Sequence, residues 1–209
     1  GVFMKLVLSI FLFLFCLLPT APYADEPPVI LILGDSLSAA YNMEVSESWP
    51  SLLQDRLDEH GHAYRVFNSS IAGDTTQGGL ARLPRLLEKQ QPAIVMIELG
   101  GNDGLRGIPL ETTRGNLSAM IRASRQTGAR VIISEMRIPP NYGRSYTEKF
   151  QSLFGELAAE YGETLLPFLL EDIALEPGMM QADGIHPSAS AQTAMLDEVW
   201  AVLQPLLVE

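Results

Sequence analysis

The chain has little cysteine and little positive charge. Cys16 is the only cysteine among 209 residues, so a disulfide within the chain is excluded and stability must come from a packed core. Lys and Arg number 14 against 25 Asp and Glu, which gives a net charge of −11. No block of Lys and Arg occurs, and this argues against nucleic acid or an electrostatically held anionic membrane as a partner.

A long hydrophobic run is also missing. The most apolar stretch, Leu6 to Leu18, is shorter than the ~20 residues that a transmembrane helix normally needs. Lys5 precedes this stretch and small residues follow it, a pattern typical of a secretory signal peptide. An uncleaved membrane anchor is the competing interpretation. We expect cleavage after Ala24, with Ala21 as the alternative, and Gly1 to Phe3 stand before the first methionine as an upstream addition.

The predicted organisation is a signal peptide over residues 1–24 and one domain over residues 25–209. The apolar share of 47% suits a globular protein with a core. We therefore expect an exported protein, periplasmic or secreted, that has no stable membrane insertion after cleavage.

The mature chain alternates short apolar runs with amphipathic segments, which predicts an α/β fold. The strands are predicted at 29–33, 64–69, 93–99, 130–136 and 164–168, and the helices near 49–59, 75–90, 112–127, 146–161 and 188–203. Such alternation favours parallel strands joined by right-handed crossovers, with helices on both faces of the sheet. In open sheets of this kind, ligands bind beyond the carboxyl ends of the strands, where every unusual polar motif of this chain falls.

A serine and a histidine lie at two of these strand ends. Ser36 follows the first strand within Gly34-Asp35-Ser36-Leu37-Ser38, and His186 lies in Asp183-Gly184-Ile185-His186-Pro187 before the last helix. A serine hydroxyl needs a base within hydrogen-bond reach to act as a nucleophile. The Asp-x-x-His spacing allows Asp183 to accept a hydrogen bond from the imidazole, although a helix-entry turn is an alternative role for Asp183. Ser36, Asp183 and His186 are therefore the candidate catalytic triad.

Two further strand ends offer hydrogen-bond donors for an oxyanion. Gly73 follows the second strand in Ala72-Gly73-Asp74-Thr75, and Asn102 follows the third in Gly100-Gly101-Asn102-Asp103. The backbone N–H groups of Ser36 and Gly73 and the side-chain amide of Asn102 are the predicted oxyanion-binding donors. Each residue alone is more often a turn residue, but the ordered set at successive strand ends favours catalysis.

These four blocks resemble the sequence blocks of the SGNH (GDSL-type) hydrolase family, which supply its Ser, Gly, Asn and His. The similarity is greatest to its bacterial periplasmic thioesterase I, arylesterase and lysophospholipase branch and extends through ELGGNDGLRG and RIPPNYGRSY. It implies a three-layer αβα sandwich with a five-stranded parallel sheet in the flavodoxin-like order 2-1-3-4-5.

The resemblance also implies a serine esterase that works through an acyl-enzyme, without a metal or an organic cofactor. The substrates it suggests are small molecules, namely acyl thioesters, aryl and short-to-medium-chain esters and lysophospholipids, and we expect a monomer. The residues expected to contact substrate are Asp35, Leu37, Leu105, Ile108, Ile138, Pro139, Tyr142 and Ile185.

Three other interpretations compete with this one. An α/β-hydrolase would show G-x-S-x-G at its nucleophile, whereas Ser38 stands at the final glycine position here. A phosphate-accepting or flavodoxin-like binding module would use Asp35 and Asp103, but the export signal and the Asp-x-x-His motif argue against it. A catalytically inactive SGNH-like binding protein is disfavoured because Ser36, Asn102 and His186 are all present.

Overall fold

The computed structural model describes residues 26–207 and contains one five-stranded parallel sheet. Its strands are β1 (Val29–Gly34), β2 (Arg65–Asn68), β3 (Ile94–Glu98), β4 (Arg130–Ser134) and β5 (Thr164–Leu166). The order across the sheet is β2-β1-β3-β4-β5, and all four pairings are parallel. The predicted fold class and strand order are confirmed.

Six α-helices surround this sheet within the described residues. They are α1 (Trp49–Glu59), α2 (Thr76–Gln90), α3 (Gly101–Leu105), α4 (Leu110–Gln126), α5 (Arg144–Tyr161) and α6 (Gln192–Leu203). Short 3₁₀ turns occur at Val45–Glu47, Pro140–Tyr142, Ala189–Ala191 and Gln204–Leu206. None of the described helices is long and apolar enough to span a bilayer.

Two apolar layers cover the two faces of the sheet because successive strand residues point to opposite sides. Leu31 and Leu33 of β1 pack with side chains of α2, α4 and α5, including Phe150 and Phe154. Ile30 and Ile32, which alternate with those two leucines, pack with side chains of α1 and α6 such as Trp49. Each central strand is thus buried on both sides, which explains its continuous apolar sequence.

The structure differs from the expected elements in two places, at α3 and at the start of α6. The sequence did not predict α3, which begins directly after the strand-ending glycines and carries Asn102. Helix α2 continues through Pro84, and its first turn is capped by Thr75, whose side chain accepts a hydrogen bond from the backbone N–H of Gly78. Helix α6 begins only at Gln192, after a 3₁₀ turn that occupies the start of the predicted segment.

The parallel arrangement brings the loops after β1, β2, β3 and β5 to one edge of the sheet. Glu98, the last residue of β3, lies beside Gly34, the last residue of β1. The segments that follow these two strands therefore start next to each other. This register places the Ser36 turn beside the helix that carries Asn102. The predicted signal peptide and Cys16 lie outside the described residues.

Candidate active site

A tight turn after β1 presents Ser36. The backbone N–H of Ser38 donates to the carbonyl of Asp35 at 3.3 Å, and the N–H of Leu37 donates to Asp35 Oδ1 at 3.1 Å. From α1, the indole N–H of Trp49 donates to the carbonyl of Leu37 at 3.2 Å. The turn is thus held by its own aspartate and by a core tryptophan, while the Ser36 side chain lies in the cleft.

His186 and Asp183 meet Ser36 from the segment between β5 and α6. His186 Nε2 lies 2.9 Å from Ser36 Oγ, and His186 Nδ1 lies 2.7 Å from Asp183 Oδ2. Asp183 Oδ1 also accepts from the backbone N–H groups of Ile185 and His186, at 2.9 and 3.0 Å. The hydrogen bond from the His186 side chain, followed by those from the backbone, holds the pKa of Asp183 well below its usual range. Asp183 is therefore ionised, and its two oxygens accept hydrogen bonds from the imidazole and from the backbone of the same loop.

Gln181 joins the histidine loop to the segment that follows the serine turn. Its side-chain amide donates to the carbonyls of Tyr41 and Pro187, both at 2.9 Å, and its backbone N–H donates to the carbonyl of His186 at 2.8 Å. The ring of Tyr41 lies against the imidazole, with centroids 4.1 Å apart. These contacts hold the imidazole ring in place beside Ser36.

The candidate oxyanion donors surround the serine turn. The Asn102 amide, at the start of α3, donates to Asp35 Oδ2 at 3.1 Å. A guanidinium N–H of Arg106 donates to the carbonyl of Gly73 at 2.8 Å, and the buried Asp103 accepts from the backbone N–H of Thr76 at 2.9 Å. These two bonds tie the Gly73 loop to α3. The backbone N–H groups of Ser36 and Gly73 donate no hydrogen bond to the described part of the chain.

Gly100 makes the sharp entry into α3 possible. Its φ of 123° lies in a region that side chains rarely adopt, and a Cβ here would lie 3.0 Å from the ring of Phe154. Any other residue would either strain the backbone or displace this phenylalanine from the core. The glycines before Asn102 therefore place its amide beside Asp35.

Two buried carboxyl groups lie beneath the turn. Burial raises the pKa of Asp35 to about 6, although hydrogen bonds from the N–H of Leu37 and from Asn102 lower it. Burial also raises the pKa of Glu98 well above its usual range, and the neighbouring charge of Asp35 acts in the same direction. Because both shifts are upward, the folded site retains protons that the unfolded chain releases.

Because the folded state retains a proton on Asp35, ionisation of this residue should destabilise the fold in a pH-dependent way. The folded pKa of about 6 exceeds the ordinary 3.8, so the folded state binds more protons between these values, and stability falls as pH rises through them. We expect the free energy of unfolding of Asp35→Asn, relative to the parent, to increase from about pH 4 to about pH 6. Urea unfolding at several pH values measures it. Glu111→Gln, an exposed carboxylate, is the control, and a pH-independent difference for Asp35→Asn would contradict the raised pKa.

A largely apolar cleft of about 430 Å³ opens from Ser36 and His186. Most of the residues expected to contact substrate line it, namely Asp35, Leu37, Leu105, Ile138, Pro139 and Ile185. Ile108 and Tyr142 do not line it. The Tyr142 hydroxyl donates instead to the carbonyl of Leu105 at 2.9 Å, so it supports the rim from behind.

Several cleft residues carry no sequence signal that separates them from the core. Phe168, Leu170 and Met180 line the far wall, and Arg137 lies over the Phe168 ring, its guanidinium carbon 5.6 Å from the centroid. Glu98 does have a signal, since it is a charged residue at the end of the apolar run Ile94 to Ile97. An acid that ends a buried strand needs an explanation, and sequence reasoning missed it.

The hydrogen bonds from Asp183 through His186 to Ser36, at the carboxyl edge of a parallel sheet, define the class of serine hydrolases. The GDSL-like lipase/acylhydrolase family model matches residues 32–194. The chain belongs to this family, and it is a serine esterase. The resemblance inferred from the four sequence blocks is confirmed.

Individual relatives agree with the family assignment. The chain is 50% identical to the esterase TesA of Pseudomonas aeruginosa over 178 residues, which cover 85% of this chain and 89% of the relative. It is 46% identical to thioesterase 1/protease 1/lysophospholipase L1 of Escherichia coli K12, over 94% of this chain and 92% of the relative. Among solved structures, a psychrotrophic esterase EstA from Pseudoalteromonas sp., inhibited by monoethylphosphonate, superposes with a TM-score of 0.82 at 41% identity, covering 85% and 97% of the two chains.

Proposed function

We propose that the chain is an exported acyl-ester and acyl-thioester hydrolase in which Ser36 is the nucleophile, His186 the base and Asp183 the orienting acid. The observation that carries the proposal is the hydrogen-bond chain of 2.7 and 2.9 Å that joins the three side chains. His186 takes the Ser36 proton as Oγ attacks the acyl carbonyl. Asp183 holds the imidazole in the required tautomer and stabilises the imidazolium.

The tetrahedral intermediate places its negative oxygen among the N–H groups of Ser36 and Gly73 and the amide of Asn102. His186 then protonates the departing alcohol or thiol, which leaves an acyl group on Ser36. In the second half of the reaction His186 activates a water molecule, and the acid is released. The positions of these groups around the serine turn support each role.

The apolar cleft supports acyl chains as the bound part of the substrate. A volume of about 430 Å³ is in the range of small-molecule sites. A relative named for thioesterase and lysophospholipase activities, and another named as an arylesterase, favour acyl thioesters, lysophospholipids and aryl esters. Short-to-medium-chain esters are suggested by the family resemblance. Export rests on the predicted signal peptide alone.

Covalent labelling tests the nucleophile. A fluorophosphonate should add one adduct to the mature protein, and intact mass should show none on Ser36→Ala. The inhibition of EstA by a phosphonate supports the choice of reagent. Hydrolysis of p-nitrophenyl butyrate and of an acyl thioester, measured on the same samples, then ranks the substrates. A folded parent protein with neither adduct nor activity would overturn the proposal in favour of an inactive binding protein.

The assignment of His186 as the base predicts an acid limb in the pH profile. Protonation of Nε2 removes the lone pair that accepts the Ser36 proton, so kcat/KM should fall as the imidazole becomes charged. Asp183 does not produce this limb, because its lowered pKa keeps it ionised there. The measurement is kcat/KM for p-nitrophenyl butyrate from neutral pH to the acid limit of stability. A flat profile would contradict a histidine base.

A further inference from the structure

A buried carboxyl group, which the mechanism above does not use, lies beneath the nucleophile turn. The Glu98 side chain is 0% exposed. Its Oε2 accepts from the hydroxyl of Ser38 at 2.7 Å and from the backbone N–H of Asp35 at 3.2 Å. A Cβ at Gly34 would lie only 2.5 Å from the same oxygen. The glycine and the serine on either side of Ser36 are therefore fitted to this carboxyl group.

The other oxygen of Glu98 shows which form the carboxyl group takes. Oε1 is buried and has no donor in the described part of the chain. Nor does any described Lys, Arg or His form an ion pair with Glu98. An unpaired buried carboxylate is costly, and a group in this position is normally neutral. The raised pKa of Glu98 agrees with that expectation.

The charged groups around Glu98 do not alter this conclusion. Arg82 of α2, which reaches Gly34 beside Glu98, is paired with Asp74 at 2.9 Å and also donates to the carbonyl of Gly34. His186 acts on Asp35, not on Glu98, among the causes of the two pKa shifts. The charge that does act on Glu98 is the negative one of Asp35, which favours a proton on the pair.

A neutral Glu98 has one hydrogen to donate, and the neighbouring acid is Asp35, whose backbone N–H lies 3.2 Å from Glu98 Oε2. A side-chain hydrogen bond to Asp35 is among the causes that raise the pKa of Glu98. Asp35 in turn accepts from the N–H of Leu37 through Oδ1 and from the Asn102 amide through Oδ2. A continuous path thus leads from Glu98 through Asp35 to both sides of the oxyanion site.

We propose that Glu98 is a positioning residue of this esterase: as a neutral acid it donates a hydrogen bond to the Asp35 carboxylate and so fixes the Ser36 turn and the Asn102 amide. The inference rests on the oxyanion donors of the proposed function. Only one negative charge then remains on the pair. A second ionised carboxylate beside the developing oxyanion would raise the energy of the transition state.

Two substitutions at Glu98 test whether the hydrogen bonds of its neutral form are required for activity. Glu98→Gln keeps one oxygen to accept from Ser38 and the N–H of Asp35, and its amide donates to Asp35 as the acid does. Glu98→Leu has similar volume and neither group. We expect Glu98→Gln to keep kcat for p-nitrophenyl butyrate within about threefold, and Glu98→Leu to lower kcat by about 10- to 100-fold with little change in KM.

Infrared spectroscopy observes the proton itself and does not depend on activity. At about pH 8, where ordinary carboxyl groups are ionised, the parent protein should show the C=O stretch of a protonated acid. That band should vanish in Glu98→Gln and persist in the control Glu111→Gln. If Glu98→Leu fails to fold, Glu98→Gln and the infrared band still decide the proposal.

Several results would overturn the proposed role of Glu98. A parent protein without the band, or a band that persists in Glu98→Gln, would show that Glu98 carries no proton. A kcat loss in Glu98→Gln as large as in Glu98→Leu would show that the carboxylate is required, and a folded Glu98→Leu with parental kcat would show no positioning role. Failure of the proposed function looks different, because the parent protein would then form no fluorophosphonate adduct at all.

Discussion

Replacing Ser36 by alanine is expected to lower kcat by about 10⁴- to 10⁶-fold, the largest effect of any single change in the chain. In the proposed mechanism the variant loses the atom that forms the acyl-enzyme, so only binding and oxyanion stabilisation remain to accelerate hydrolysis. Because Ser36 is a small side chain on a turn held by Asp35 and Trp49, we expect its loss to leave the fold intact. The measurement is kcat on p-nitrophenyl butyrate with enzyme concentrations high enough to detect residual turnover.

Combining Ser36→Ala with His186→Ala gives a sharper form of this prediction. If the two side chains act as a unit, His186→Ala costs about as much as Ser36→Ala, and the double variant loses no further activity. Ser152→Ala, an exposed serine on α5, is the matched control and should keep parental kcat. Additive losses in the double variant would show that the two residues work independently and would contradict the triad.

The sequence was sufficient to predict the fold because its signals are local. Continuous apolar runs mark strands buried on both faces, and Gly61, Gly128 and Gly162 mark the positions just after helix ends. Parallel crossover rules then bring the carboxyl ends of the strands to one edge. These rules place Ser36 and Asn102 at the same edge of the sheet, whereas the adjacency of their two strands came from the strand order that the family resemblance implied.

The parts of the site that sequence reasoning missed depend on contacts between distant segments. The Glu98 side chain contacts Ser38 across 60 residues of sequence, and Gln181 reaches Tyr41 across 140. No local pattern encodes such pairs, and even the unusual acid at the end of β3 gives no indication of its partner. Helix α3 was not predicted because five residues with two glycines give too little periodicity to indicate a helix. Tertiary packing therefore decided how Asn102 is presented.

In the apolar cleft, too, some residues could be predicted from the sequence and others could not. Leu105 and Ile138 were expected from the family resemblance, and both line the cleft. Ile108 was expected on the same grounds, but it does not line the cleft, and its backbone bonds to the carbonyl of Asp103 and the hydroxyl of Tyr146. Neighbouring residues on one short loop thus take different roles, and only the three-dimensional arrangement separates them.

The second large effect is expected at Asn102. Asn102→Ala should lower kcat by about 10²- to 10³-fold with a small change in KM, because the amide strengthens its hydrogen bond only as negative charge develops on the substrate oxygen. In the free protein this amide donates to Asp35 at 3.1 Å, so it is already held beside the serine turn. The loss is smaller than for Ser36→Ala since two backbone donors remain.

Asn102→Asp separates the loss of the donor from a change of shape. Aspartate has nearly the same shape as asparagine but accepts hydrogen bonds instead of donating them when ionised, and it adds negative charge next to Asp35. Its kcat should therefore fall below that of Asn102→Ala, although it fills the same space. Circular dichroism and fluorophosphonate labelling of both variants establish that the fold and Ser36 remain. If Asn102→Asp proved as active as the parent, other groups would have to stabilise the charge of the transition state. Asn102 would then have only a structural role in the first turn of α3.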